Sequence, residues 1–479
     1  MKHPLLPLRD QGWLSPIVFF SSNWLSLAGV VLVTTATVLW LFLLPATMRG
    51  TVDNPYLGIL LFMGLPGAFF GGLALIPAGI LLRVRRMRRG GELPSELPPL
   101  DLHNPKLRRL LIFIGVTTFV NVLLGGQLTY KAVLYMDSVT FCGRTCHGLM
   151  EPEYTAYQNS PHSRVECVSC HIGPGASWFV KSKLSGAGQV AATILDTYPR
   201  PIPAPVENLR PARETCEQCH WPQKFGADRL RIIRKFAADE NNSESTTVLL
   251  MRIGGGGEPG IHGAHVGSGI RIRYAHADRQ RQQIPWVEIT HNGGPPTIYA
   301  DPEAKPEEIQ KMPVREMDCM DCHNRPTHAF ELPERALDRA LASGAVPPEL
   351  PWVKQIGLEL LQKEYPSREE ARRQIPAALE AYYAESHPEI HRERGEQIAR
   401  ASRGLVAVYE RNVFPEMKVT WGTYPNNIGH TDFPGCFRCH DDMHSSADGK
   451  TIPQDCDTCH QLLAMEEEQP EILTTLGIE

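Results

Sequence analysis

The residues best able to do chemistry here are the cysteines: all twelve fall in six close pairs, and each second cysteine is followed directly by histidine. The pairs are Cys142/Cys146 with His147, Cys167/Cys170 with His171, Cys216/Cys219 with His220, Cys319/Cys322 with His323, Cys436/Cys439 with His440, and Cys456/Cys459 with His460. Five read C-x-x-C-H, and the first has one extra residue between its thiols. Two thiols about a turn apart can each form a thioether to a haem vinyl group, and the adjoining imidazole then reaches the iron from one face. Zinc ribbons and thioredoxin-like sites share C-x-x-C, but neither needs histidine after the second thiol, least of all six times. Six covalently bound haem c groups, with their iron, are therefore the expected cofactors.

A low-spin haem needs a second axial ligand. Of eighteen histidines, six belong to the motifs, and His3 and His103 fall on the cytoplasmic side of the topology argued below, which leaves ten. His162, His328 and His444 each lie four or five residues from a motif, too close to swing around the same porphyrin, and so are expected to serve neighbouring haems. His430 and one of His262 or His265, taken as His265, complete the set of five. His276, His291, His387 and His391 are expected to face solvent. For the first haem, Met150, three residues after His147, is a candidate axial ligand, because thioether ligation raises a haem potential; a packing role is the alternative.

Three apolar stretches early in the chain position this chemistry: Trp24 to Leu44, Tyr56 to Leu82, and Leu110 to about Leu134. Each is long enough to cross a hydrocarbon layer of about 30 Å. The segment between the second and third carries Arg83, Arg85, Arg86, Arg88, Arg89, Lys106, Arg108 and Arg109, which places it in the cytoplasm. The amino terminus is then inside and the haem motifs outside, in the periplasm of a bacterial inner membrane. The first stretch lacks a small-residue cleavage site and reads as an uncleaved anchor. Cys142 follows the third stretch closely, so the first haem is expected at the lipid-water boundary, where a quinol headgroup can approach. Lys181 and Lys183, just after Trp178-Phe179, suit either a quinol pocket or a snorkelling collar at the membrane surface.

The expected fold is a membrane-anchored multihaem cytochrome c: three transmembrane helices, then a mostly α and irregular periplasmic haem domain with a small β insertion. The parts run 1–135, the anchor with a basic cytoplasmic loop at 83–109; 136–220, a three-haem segment with room only for short helices; 221–318, a β-rich insertion; 319–332, the fourth haem; 333–430, a helical region; and 431–479, a two-haem carboxyl-terminal segment. Strands are expected at Val248–Ile253, Ile270–Tyr274, Trp286–Thr290 and Thr297–Ala300, where short apolar or alternating runs are broken by Gly, Asn and Pro. Two to four helices are expected between Leu332 and Arg411. The run Gly254–Gly257 lacks the lysine and the strand-to-helix setting of a phosphate loop and reads as a turn. A formal net charge of -5 gives no reason to expect nucleic acid as a partner.

The stretch from Cys142 to Gly186 resembles the NapC/NirT family of membrane-anchored multihaem quinol dehydrogenases. The likeness rests on Met150, Pro152, Tyr154, Ser160, His162, the motif Cys167-Val-Ser-Cys-His171, and Lys181 with Lys183. Across its length the chain resembles the larger inner-membrane multihaem cytochromes of metal-respiring bacteria. The segments Cys216-Glu-Gln-Cys-His-Trp-Pro, Cys319-Met-Asp-Cys-His-Asn-Arg-Pro-Thr-His328 and Phe433-Pro-Gly-Cys-Phe-Arg-Cys-His440 carry that likeness. The resemblance implies electrons taken from membrane quinol near the first haem and relayed to periplasmic cytochromes or a reductase, in anaerobic or extracellular respiration. It also implies contact with lipid, and Lys181 and Lys183 as quinol-site residues. Two spacings depart from the family: both intervals at the first motif are longer by one, and the first acidic residue after the lysines is Asp196. A terminal reductase for a small oxyanion and a haem-bearing anchor subunit of a larger respiratory complex are the competing functions, the latter implying an oligomer or partner subunits.

Overall fold

The computed structural model describes residues 19–21, 23–48, 63–90, 105–145, 147–173, 175–206, 209–221, 226, 228–255 and 260–478. The start of the second apolar stretch at Tyr56, together with His3, His103 and Cys146, lies outside the described residues, as do the side chains of His147 and Lys183. The chain divides into two compact units, Met1–Cys146 and His147–Glu479.

Among its described residues the first unit holds three long helices: α1 (Trp24–Met48, 25 residues), α2 (Leu65–Gly90, 26 residues) and α3 (Pro105–Met136, 32 residues). Among the described residues α2 is long and apolar enough to cross a membrane, and α1 contributes a shorter apolar run, Trp24–Leu39. Leu27 and Val31 of α1, Phe70 and Leu81 of α2, and Phe119 and Leu123 of α3 are all exposed. Large apolar side chains facing outward on each helix are the reverse of what water selects. Small residues bring α1 and α2 together: a Cβ on Gly29 would meet the Gly72 carbonyl oxygen at 2.6 Å, and one on Gly72 would meet that of Gly29 at 2.7 Å. The Ser26 hydroxyl donates to the Ile76 carbonyl at 2.9 Å, across the same seam. Close backbone approach and a hydroxyl bond are how helices associate where no hydrophobic drive separates them from solvent.

The basic residues expected in a loop are helical instead. Arg83, Arg85, Arg86, Arg88 and Arg89 continue α2 to its end, and Lys106, Arg108 and Arg109 open α3. Nothing in Leu82–Arg89 breaks a helix, and cations in the last turn are favoured by the negative end of the helix dipole.

The second unit opens with α4 (His147–Gln158) and α5 (Ala176–Ile194). At 19 residues α5 is longer than the short helices expected in this segment, because no proline interrupts it before Pro199. Then follow β1 (Arg229–Phe236), β2 (Glu244–Met251), α6 (Ile261–Val266), β3 (Ile270–Ala275), β4 (Trp286–His291), β5 (Thr297–Ala300) and β6 (Val314–Glu316). The last four form an antiparallel sheet in the order β5-β4-β3-β6, with Ile272, Tyr274, Ile284 and Val287 at its core. β3, β4 and β5 fall where alternation placed them, and β2 lies a few residues before its expected start. β1, Arg-Leu-Arg-Ile-Ile-Arg-Lys-Phe, has charges on both faces and was not expected from the pattern.

Five helices, not two to four, fill the helical region: α7 (Pro333–Ala342), α8 (Val353–Gln362), α9 (Arg368–Ser386), α10 (Pro388–Glu393) and α11 (Gly395–Asn412). The extra element arises at Pro388, which starts a helix at its first position but cannot continue one. Leu337, Leu341, Leu361, Ile375, Leu379, Tyr383, Leu405 and Tyr409 interlock in the largest core among the described residues. Ser367 caps α9 by accepting from the Glu370 N–H at 3.1 Å. The buried Lys354 Nζ donates to Asp338 at 2.5 Å, and the Phe236 N–H donates to the same carboxylate at 3.0 Å, tying β1 to this core. The final strand, β7 (His460–Glu467), pairs antiparallel with β2 in the order β1-β2-β7. The β-rich segment is therefore not self-contained, since its first sheet is completed by the carboxyl-terminal segment.

Candidate haem sites

Five imidazole pairs face one another in the second unit, and each joins one motif histidine to one histidine from elsewhere. His220 faces His162 with ring centroids 5.9 Å apart, His171 faces His328 at 6.2 Å, His323 faces His262 at 6.2 Å, His440 faces His265 at 5.8 Å, and His460 faces His430 at 6.3 Å. Two imidazoles on opposite faces of one haem iron have centroids about 6 Å apart, so each pair has the separation that bis-histidine ligation requires. The donor set fits haem and not the competing readings of the cysteines. The eleven described cysteines form no disulfide, and among the described residues no three Cys, His, Asp or Glu side chains gather as a bare metal ion would need.

Hydrogen bonds at the far ring nitrogen orient four of these rings. Nδ1 of His162 donates to the Pro326 carbonyl at 3.3 Å, that of His328 to Glu153 at 2.9 Å, that of His265 to Ile261 at 2.7 Å, and that of His440 to Pro453 at 2.8 Å. A carbonyl only accepts, so the proton sits on Nδ1 and Nε2 keeps the lone pair that a metal takes. Burial lowers the pKa of His262, His265 and His328, which favours the neutral ring a ligand must be.

His444 is corrected by the same test. Its Nδ1 bonds Asp441 at 2.9 Å and its Nε2 bonds the Ile284 carbonyl at 2.6 Å, so both nitrogens are occupied by acceptors and neither can bind iron. It is a buried pin between the carboxyl-terminal loop and the four-stranded sheet. His262 faces a motif histidine where His444 does not: α6 presents both His262 and His265, three residues apart on one short helix, to successive motifs. The i, i+3 spacing was the available signal, since it puts two side chains on one helix face. His276, His291, His387 and His391 face no motif histidine among the described residues; His276 packs on Tyr274, His387 on Tyr382 and Tyr383, and His391 lies beside Glu380.

The pairing interlaces the motifs. His162, beside motif two, faces motif three, and His328, beside motif four, faces motif two. The thiols follow the same series: Cys170 neighbours Cys219, Cys216 hydrogen-bonds Cys319, Cys322 neighbours Cys436, and Cys436 neighbours Cys459. Motifs two to six thus adjoin in sequence order.

Motif four is anchored by a carboxylate. Asp321, only 1% exposed in its side chain, accepts from Tyr274 Oη at 2.5 Å, Arg281 Nη1 at 3.0 Å, Arg315 Nε at 2.8 Å and the Asp318 N–H at 2.7 Å. Burial, then the adjacent Asp321 charge, pushes the Tyr274 phenol well above its usual range, so it stays a donor. Motif five depends on a glycine. Gly435 has φ +52°, and a Cβ there would fall 1.8 Å from the Gly429 carbonyl oxygen, next to His430. Gly435→Ala is expected to push the 429–435 loop outward and break the His430–His460 pair. The strained backbone alone costs about 1–3 kcal/mol, and the low-spin signal of one haem should become high-spin in electron paramagnetic resonance.

Around the first motif less is placed. Met150 is half-buried on α4, and the side chains of His147 and Lys183 lie outside the description. Lys181 is exposed on α5 with its Nζ 4.9 Å from the centre of the Trp178 ring, and Leu184, one turn on, is 71% exposed.

The NapC/NirT cytochrome c family, N-terminal region, matches this chain over residues 104–201. Cytochrome c-type protein ImcH of Geobacter sulfurreducens is 44% identical over 453 residues, which cover 93% of this chain and 89% of that protein. No solved structure matches.

Proposed function

The chain belongs to the NapC/NirT cytochrome c family, and from that premise we propose that it is a six-haem quinol dehydrogenase of the bacterial inner membrane, handing electrons to periplasmic carriers or reductases. The observation that carries this reading is the series of five facing imidazole pairs in motif order. Haem c, when bound, supplies one-electron redox chemistry. The chain's own contribution is to hold two nitrogen donors across each of these five sites, which would keep water and anions off both faces. A terminal oxyanion reductase needs an open face, so the five pairs speak for relay over reduction. Cys142, Cys146 and His147 would hold the first haem, with Met150 as its axial candidate.

The three helices of the first unit are read as spans, with the arginines at the end of α2 and the cations opening α3 in the cytoplasm. On that topology α5, with Trp178, Lys181 and Leu184, suits the membrane surface: an amphipathic ring and a snorkelling cation beside an outward apolar residue. Lys181, with Lys183 two residues on, is then placed to bond a quinol oxygen. Quinol releases two electrons and two protons, and the protons leave on the periplasmic side. The test is menaquinol added to the purified full-length protein in lipid. Reduction of the haems within seconds is expected, and a fully oxidised protein after that time would overturn the reading. Lys181→Ala is expected to slow this reduction roughly tenfold, the loss of one charge-assisted hydrogen bond, while reduction by dithionite is unchanged.

A further inference from the structure

Neither thioethers nor iron dictate the two residues between the cysteines of a C-x-x-C-H motif. Motif four places Asp321 there and motif five places Arg438, and the two motifs are bound together through them. Arg438 donates from Nε to the Gly435 carbonyl at 2.7 Å, from Nη1 to the Arg281 carbonyl at 2.8 Å and from Nη2 to the Asp321 carbonyl at 2.8 Å. All three acceptors are uncharged, and among the described residues no carboxylate pairs with this guanidinium. It lies one residue before Cys439 and bonds the carbonyl one residue before Cys322, the second thioether positions of motifs five and four. The nearby carboxylates are engaged elsewhere, Asp321 with Arg281 and Arg315, and Asp441 with His444.

We propose that Arg438 is a positioning residue shared by the fourth and fifth haems: it clamps their two motifs together, and its uncompensated charge raises both reduction potentials. Reduction removes one positive charge from a haem iron, so a fixed cation nearby favours the reduced form, and more strongly where water is excluded. Because the charge sits between two motifs, the two potentials move as a pair. The inference rests on the ligand pairs underlying the proposed function.

The test is a potentiometric titration of the full-length haem-loaded protein, wild-type beside Arg438→Gln and Arg438→Lys. In Arg438→Gln two of the six midpoint potentials are expected to fall and four to hold. Arg438→Lys keeps the charge but cannot reach all three carbonyls, so the same two fall less. In a His265→Met background, where thioether ligation lifts the fifth haem out of the pair, Arg438→Gln should lower only one of the potentials left in the wild-type range. Six unmoved potentials, a single moved potential in the wild-type background, or equal shifts in the Gln and Lys variants would each overturn the proposal. Should Arg438→Gln lose haem, Arg438→Lys decides alone, a joint shift supporting the proposal and no shift or a single one sinking it. Paramagnetic resonance of the wild-type protein separates the underlying reading, which fails if fewer than five haems are bis-imidazole, whatever Arg438 does.

Discussion

His265→Ala is expected to turn one low-spin haem into a high-spin one that binds cyanide or carbon monoxide. His265 faces His440 at 5.8 Å, and its Nδ1 is fixed on the Ile261 carbonyl, so its removal opens one iron face and leaves the other ligated. The low-spin signal of one haem should disappear. His262→Ala should do the same at a different haem, and the double variant should lose about twice as much, because the two rings face separate motifs. His444→Ala is the control: its ring bonds Asp441 and Ile284, and its loss should leave the low-spin count intact. An unchanged spectrum in His265→Ala, or a high-spin haem in His444→Ala, would reverse the ligand assignment.

Asp321→Ala should be the most destabilising single change outside the haem ligands. It leaves Arg281 and Arg315 partly buried without their shared counter-charge and takes the acceptor from Tyr274. Breaking a buried ion pair by deleting one partner costs about 3–5 kcal/mol, which can exceed half the stability of a typical domain. Asp321→Asn keeps an acceptor for Tyr274 and should fall between. Thermal unfolding followed in the far ultraviolet measures both, and an Asp321→Ala melting point within a degree or two of wild-type would show the cluster to be dispensable.

Attachment and axial ligation were not equally legible in the sequence. Covalent attachment demands cysteines and histidine within a few residues, so local spacing exposes it. The second imidazole comes from remote chain, and only steric reach constrains it. That argument, that five residues cannot span a porphyrin, singled out His162 and His328, and both rings face the histidine of another motif. It failed for His444, four residues from His440, because Asp441 sits three positions earlier and captures its Nδ1. Nothing local distinguishes that geometry from a ligand's. α6, six residues long, is too short for periodicity, so the joint use of His262 and His265 was hidden although their spacing was visible. The β-strands were legible where one face is apolar, as in β3 and β4, and not in β1, where Arg234 shares a face with Leu230, Ile232 and Phe236. Arg438 and Asp321 occupy positions that the motif leaves free, so only their partners make their role visible.

β7 begins at His460, the last haem-binding histidine, and its partner β2 ended more than two hundred residues earlier, at Met251. The β1–β2 hairpin is therefore left with one edge bare until β7, more than two hundred residues further along the chain, is there to pair with it. The sixth motif and the closing strand arrive together, so a chain cut short before Cys456 would lose both that motif and the seal on the sheet.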